Sequence, residues 1–479
     1  MRSFETNVQE LRAKVLREVA KLVWEDNLVG GMMDIQEKIV PGPEATMRCC
    51  IYKERAIIGD RVKMALGGDK FNPAVVEVLP IACDECPVTQ ITVGPACRGC
   101  IATRCVHTCP KGAISIVNHR ARIDHSKCIT CGKCLSACPY GAIIRNRRPC
   151  ELGCKGDAIS MGPDKKATID ASKCISCGTC INQCPFGAIS DKSFIADAIH
   201  MLQGTRKWGY TVYAIVAPSI AGQFNPASLG QVVTGLKKLG FEDVIEVALG
   251  ADMVAKRESG ELLEKGQLAS SCCPAFVSYT TKNFPELAEK LISETPSPMV
   301  MTARYIKNLH PRAKVIFIGP CVAKKHEFQL GKTMGAVDCV LTFEELWALF
   351  ESRDLDLTAL EPAQLDEASG FGRSFAYSGG VTAAVAEALK EKKTDFDLKA
   401  APCSGIDACK LAFLKLSKGV LDANFIEGMA CEGGCVQGAG CVIRSPQNKS
   451  AVTQYAKNAG ERTIESAVAT ATDAITGKK

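Results

Sequence analysis

Leu11, Val15, Val19, Leu22 and Val23 recur at helical spacing through an otherwise charged segment, Met1 to Leu28, and predict an amphipathic helix. Residues 1 to about 80 read as mainly helical and end in the apolar run Val75 to Ile81, which leads into Cys83. The pattern then breaks. Residues 83–184 hold sixteen cysteines, and a six-residue phrase (Cys-Pro-Lys-Gly-Ala-Ile and variants) recurs at 109–114, 138–143, 154–159 and 184–189. Four half-modules make two tandem units. From about residue 205 strands and helices alternate. Tyr210 to Ala217, Asp243 to Ala248 and Lys314 to Ile318 read as strands; Leu229 to Leu239, Phe343 to Glu351 and Val381 to Lys390 read as helices. Pro218, Ser219 and Cys321 follow strands directly, where open α/β sheets place ligands.

Composition narrows the chemistry. The 479 residues are 47% hydrophobic and 23% charged, with a formal net charge of +6. The Lys and Arg residues read as scattered, so no nucleic-acid footprint is expected. No apolar run reaches the roughly 20 residues that span a membrane, and the charged N-terminus is no signal peptide. A cytoplasmic protein is expected. There, 27 cysteines are not a disulfide framework. Metal ligation is the remaining reason to hold so many.

Cys128, Cys131, Cys134 and Cys138, followed by Pro, have the bacterial ferredoxin spacing, in which the fourth cysteine serves the neighbouring cluster. Cys97, Cys100, Cys105 and Cys109 form the partner run. The crossover predicts one 4Fe–4S cluster on Cys97, Cys100, Cys105 and Cys138, and a second on Cys128, Cys131, Cys134 and Cys109. Zinc ribbons lack the fourth cysteine before Pro. The next unit places a third cluster on Cys174, Cys177, Cys180 and Cys154. Cys184 and Cys150 then need two companions. The unassigned pair Cys83 and Cys86 completes a fourth set; the alternative is three clusters with free cysteines.

Three further segments carry a resemblance. Ser-Ser-Cys-Cys-Pro-Ala-Phe (270–276), Gly-Pro-Cys-Val-Ala-Lys-Lys-His-Glu (319–327) and Glu-Gly-Met-Ala-Cys-Glu-Gly-Gly-Cys (427–435) resemble the signature motifs of iron–iron hydrogenases. The resemblance runs from the ferredoxin block to the third motif. It implies the monomeric, ferredoxin-linked type and a multidomain α+β and α/β fold. The parts are a helical region over 1–80, tandem ferredoxin-like 4Fe–4S domains over 81–200, and an α/β hydrogenase catalytic domain over 201–479. It further implies an H-cluster: a cube on Cys273, Cys321, Cys431 and Cys435, with Cys435 bridging to a di-iron subsite bearing CO, cyanide and azadithiolate. Ala217, Pro218, Ser219 and Lys324 would hold the cyanides, and Phe375 and Met429 would line the pocket.

In the family the thiol at the position of Cys272 exchanges protons with the azadithiolate amine. Glu258 and Glu261, three apart on one helical face, would relay those protons together with Ser293 and Glu327. The implied reaction is 2H⁺ + 2e⁻ ⇌ H₂. The implied partners are ferredoxin or a similar small electron carrier, and the maturation proteins that install the di-iron subsite. A hydrogen-sensing protein and a non-catalytic iron–sulfur assembly factor are the alternatives. No Gly-x-Gly-x-x-Gly follows a strand and opens a helix, so direct use of a nicotinamide is not expected. The motifs depart from the best-known members at Ser270, Phe276, Met299, Gly319 and the run Gly438 to Cys441. These changes point to a less studied, group B-like branch. Cys49, Cys50, Cys339, Cys403, Cys409 and Cys441 have no assigned role, and packing is expected for most.

Overall fold

In the computed structural model, which describes residues 4–88, 90–461 and 463–476, the N-terminal amphipathic segment forms the helix Asn7–Trp24. The Thr6 hydroxyl caps it, accepting from Gln9 N at 3.2 Å. The rest of the predicted span differs: Leu28 opens the separate short helix Leu28–Gly31, and Met1 to Ser3 lie outside the described residues. The apolar face of Asn7–Trp24 buries Val15, Val19, Ala20 and Val23 against the helices Phe343–Ser352 and Ile195–Trp208. It thereby joins the largest hydrophobic core of the chain.

Eight short strands build the cysteine-rich region: β1 (Val76–Val78), β2 (Gln90–Val93), β3 (Ile114–Val117), β4 (Arg120–Ile123), β5 (Ile143–Asn146), β6 (Ile159–Met161), β7 (Ala167–Ile169) and β8 (Ile189–Asp191). All pair antiparallel: β1 with β8, β2 with β5, β3 with β4, and β6 with β7. One unit is therefore nested in the other. β1 pairs with β8 as β2 pairs with β5, so the second unit takes its first strand from before the first unit. The ferredoxin fold thus begins ahead of residue 81. Cys83 and Cys86 follow β1 as Cys97 and Cys100 follow β2.

Charge is not scattered over this region. Residues 96–148 hold ten of the chain's 58 Lys and Arg but only one of its 52 acidic residues, Asp124. Counting charge over the whole chain hides this, because the remainder is slightly acidic.

The α/β part has seven strands among the described residues: β9 (Val212–Val216), β10 (Asp243–Glu246), β11 (Leu268–Ala269), β12 (Lys314–Gly319), β13 (Cys339–Thr342), β14 (Ala400–Ser404) and β15 (Phe425–Met429). They form two parallel sheets, ordered β10-β9-β12-β13 and β11-β15-β14. The strand expected over Asp243 to Ala248 stops at Glu246, and Val247 opens the helix Val247–Lys265. A short apolar run does not distinguish strand from buried helix. Here Ala251, Val254, Ala255 and Leu262 pack on one face, which decides for the helix. No helix among the described residues is long and apolar enough to cross a membrane.

Candidate active site

The carboxyl ends of both sheets converge on one cavity. β9 delivers Ala217, Pro218 and Ser219; β12 delivers Cys321; β11 leads to Cys272 and Cys273; and β15 leads to Cys431 and Cys435. Lys324, Phe375 and Met429 also line it. The cavity measures about 90 Å³, several times the roughly 10–15 Å³ that one water needs.

The four thiols of the three motifs, Cys273, Cys321, Cys431 and Cys435, stand close enough to interact. Burial pushes the Cys431 thiol well above its ordinary value, and Cys321, Cys273 and Cys435 push it further. Cys321 and Cys435 are each raised to about 12, again by burial first. Such thiols stay protonated until a metal displaces the proton. Cys273 and Cys321 occupy the N-cap positions of the helices Pro274–Asn283 and Val322–Glu327, where the helix dipole favours a thiolate. Between Cys431 and Cys435 the chain turns through Gly433 and Gly434, both at positive φ. A Cβ on Gly434 would lie 2.7 Å from Ser378 N and Tyr377 Cα, so only glycine lets the loop close.

An iron–sulfur group fits these donors. Soft thiols select it. Among the described residues no three His, Cys, Asp or Glu side chains crowd together as ligands of a single ion do. The thiols of Cys273, Cys321, Cys431 and Cys435 line this one void, which gives a cluster separate residues to hold its corners. Ser219 is fully buried at the cavity with its hydroxyl unpartnered, leaving a donor free for a bound acceptor. The Lys324 ammonium donates to Glu327 Oε2 at 2.6 Å and to the Cys272 carbonyl at 3.2 Å. Its third N–H remains available to the cavity.

The relay residues divide. Glu258 is fully buried; its Oε1 accepts from Ser271 N at 3.1 Å and Ser271 Oγ at 3.3 Å, and its Oε2 has no partner. Burial lifts this carboxyl to about 7. Glu261 accepts from Ser293 Oγ at 3.2 Å and from the Thr295 hydroxyl. Ser293 also interacts with Glu258, so it stands between the two carboxylates. Lys265, 3.8 Å from Glu261, closes the outer end. Glu327, expected in this relay, accepts from Lys324 and lines one groove with Ser271, Ser293 and Thr295, although no hydrogen bond ties it to Ser293 among the described residues. A pairing three residues apart within one helical turn outcompetes a longer reach. Ser271 and Thr295 were not predicted. Ser271 lies inside the first motif, and Thr295 precedes a Pro in a loop, with no pattern to mark it.

The structure brings the ferredoxin cysteines into neighbouring groups. Cys105 lies beside Cys138 and Cys100, with Cys97 in the same apolar cluster. Cys134 lies beside Cys128, Cys131 and Cys109. Cys180 neighbours Cys177, Cys174 and Cys154, and then Cys150. Cys150 neighbours Cys184 and Cys83, and Cys86 neighbours the same two. Cys177 in turn interacts with Cys431, which marks Cys154, Cys174, Cys177 and Cys180 as the set nearest the cavity. Gly178, at positive φ, lets this loop approach: a Cβ there would lie 2.7 Å from Ala439 and 3.0 Å from Val322.

Comparison with known proteins agrees with this geometry. Residues 210–439 match the family model of the iron only hydrogenase large subunit, C-terminal domain. Residues 96–142 match a 4Fe-4S dicluster domain, and 167–190 a 4Fe-4S binding domain. Iron hydrogenase 1 of Clostridium pasteurianum is 28% identical over 390 residues, which cover 69% of this chain and 67% of that protein. The cytosolic Fe-S cluster assembly factor NAR1 of Eremothecium gossypii is 30% identical over 139 residues, covering 27% of this chain and 31% of that one. A solved FeFe-hydrogenase chain, described in terms of oxygen inactivation of its H cluster, superposes with a TM-score of 0.50 at 20% identity over 60% of this chain and 95% of that one. This last likeness shows the fold alone. The periplasmic Fe hydrogenase large subunit of Nitratidesulfovibrio vulgaris is 30% identical over 382 residues, covering 67% of this chain and 86% of that protein. With the three cysteine motifs gathered at one cavity behind ferredoxin modules, the chain belongs to the iron-only (FeFe) hydrogenase family.

Proposed function

We propose that this chain is a ferredoxin-linked hydrogenase catalysing 2H⁺ + 2e⁻ ⇌ H₂ in the cytoplasm. Cys273, Cys321, Cys431 and Cys435 would hold the cube of an H-cluster. Four further 4Fe–4S clusters would sit on the cysteine sets above, the nearest on Cys154, Cys174, Cys177 and Cys180. When bound, the di-iron subsite would supply the redox centre for this reaction. The chain's own residues supply the rest. The apolar walls exclude bulk water, Ser219 and Lys324 offer donors to anionic ligands, and the Cys272 thiol hands a proton across the cavity edge.

One observation carries the reading. Cys272 is a fifth thiol at the cavity, raised well above its ordinary value by burial and then by Glu258, and it adjoins the chain Ser271, Glu258, Ser293, Glu261. A protein that held only a plain cube, as in the assembly-factor reading suggested by NAR1, has no use for a half-buried thiol at the end of such a chain. The test is an anaerobic infrared spectrum of protein co-produced with the hydrogenase maturation proteins. Iron-bound CO and cyanide bands, with hydrogen evolution lost in Cys272→Ala while the bands remain, are expected. Intact 4Fe–4S absorption without those bands would overturn the enzyme reading and leave the assembly role.

A further inference from the structure

The inserted ferredoxin unit, with its basic stretch over 96–148, carries an asymmetry the proposed reaction does not account for. Its strands and helices pack among themselves around their own core, away from the cavity. Of its ten Lys and Arg side chains, eight are exposed, against the single carboxylate of Asp124. Thiolates of bound clusters would offset part of this charge but lie beneath it.

The charge is also placed. Of the twenty cysteines in the five sets, Cys131 alone is exposed. Beside it the loop presents Ile129, 55% exposed. Lys127 and Lys133 flank the same cysteine run and are exposed; exposed Lys111 lies two residues after Cys109, which meets Cys134. Arg145 steadies the loop by donating to the Thr130 carbonyl at 2.7 Å. Asp124 is drawn towards Lys127 at 3.6 Å, leaving the other lysines uncompensated. An apolar centre with a cationic rim, over the set that holds the exposed Cys131, is the anatomy of a transient electron-transfer interface.

We propose that an acidic one-electron carrier protein docks on this face, over the Cys128–Cys134 loop, and that Lys111, Lys127 and Lys133 recognise its carboxylates. The proposal rests on the ferredoxin-linked reading and deepens it by naming the docking face and the charge the carrier must present. A nucleic acid would satisfy the charge but would gain nothing from the exposed Cys131, which is what selects a redox partner. Unlike charges at this rim raise the encounter rate and make it fall with ionic strength.

The test compares the clustered full-length protein with its Lys111→Glu, Lys127→Glu, Lys133→Glu triple variant. Binding of an acidic bacterial ferredoxin is titrated at low and at physiological salt. Hydrogen evolution is followed with that ferredoxin and with reduced methyl viologen, a small cationic dye. The triple variant should bind ferredoxin at least tenfold more weakly, with a flattened salt dependence, while its dye-driven rate is unchanged. An unchanged Kd for ferredoxin would overturn the proposal, as would random-sequence duplex DNA binding the wild type more tightly than ferredoxin does. A wild type inactive with the dye would instead sink the hydrogenase reading, and the titration would still decide the docking face.

Discussion

Glu258 is the single residue on which the proposed proton relay most depends. A carboxyl buried with one oxygen unpartnered is costly to keep, and its value near 7 makes it able to take and release a proton at neutral pH. Glu258→Gln keeps the shape and the bonds from Ser271 but cannot carry a proton. Hydrogen turnover should fall by about 10²–10⁴-fold, with the infrared bands unshifted in number; turnover within a few-fold of wild type would remove Glu258 from the relay. Asp252 offers a stability counterpart. It is fully buried, accepts from Ser369 N at 2.8 Å and Ser369 Oγ at 2.6 Å, and is raised from 3.8 to about 7 by burial. A carboxyl raised on folding stabilises the native state below its unfolded value and loses that contribution as pH climbs through its folded value. Anaerobic melts between about pH 5 and pH 8 should therefore show Tm falling more steeply in wild type than in Asp252→Asn; equal slopes would refute the assignment. Neither carboxyl's environment is visible in the sequence. The resemblance marks Glu258 as a relay candidate, but the burial of Asp252 and Glu258 follows only from which face of Val247–Lys265 meets its neighbours.

At the scale of elements, the junction between the N-terminal helix, β8 and the helix Phe343–Ser352 is held by buried charge. Lys325, fully buried, lies 2.8 Å from both Asp191 and Glu345. Arg12 adds a bond to Asp191 at 2.5 Å and lies 3.3 Å from Glu344. Taking one partner from such a set strands the others without solvent. Lys325→Ala should lower unfolding stability by about 3–5 kcal/mol, read by chemical denaturation of the clustered protein; a loss below about 1 kcal/mol would mean that water reaches the carboxylates. The sequence offered Lys325 only as the neighbour of Lys324. Helix and strand identities were legible where the period was long, as in Leu229–Leu239, which the structure reproduces. They were not at Val247, where a short apolar run suits either state.

Across the whole molecule, the nested ferredoxin units decide how the cysteines group. Since β1 pairs with β8, Cys83 and Cys86 reach Cys150 and Cys184 across the length of the inserted unit. Cys150→Ala should remove one cube's worth of iron and one set of reduced-cluster EPR features, leaving the H-cluster infrared bands in place. An unchanged iron content would restore the reading of three clusters with free cysteines. The sequence alone determined the chemistry: cysteine spacings, the crossover, the three motifs and the pair Cys272 and Cys273 are local patterns, and local patterns survive without a fold. Only the tertiary structure decided which distant groups share one environment. Nesting, the burial of Glu258 and the exposure of Cys131 beside a basic rim all depend on packing between segments far apart in the chain, and the hydrophobic effect that drives that packing is non-directional.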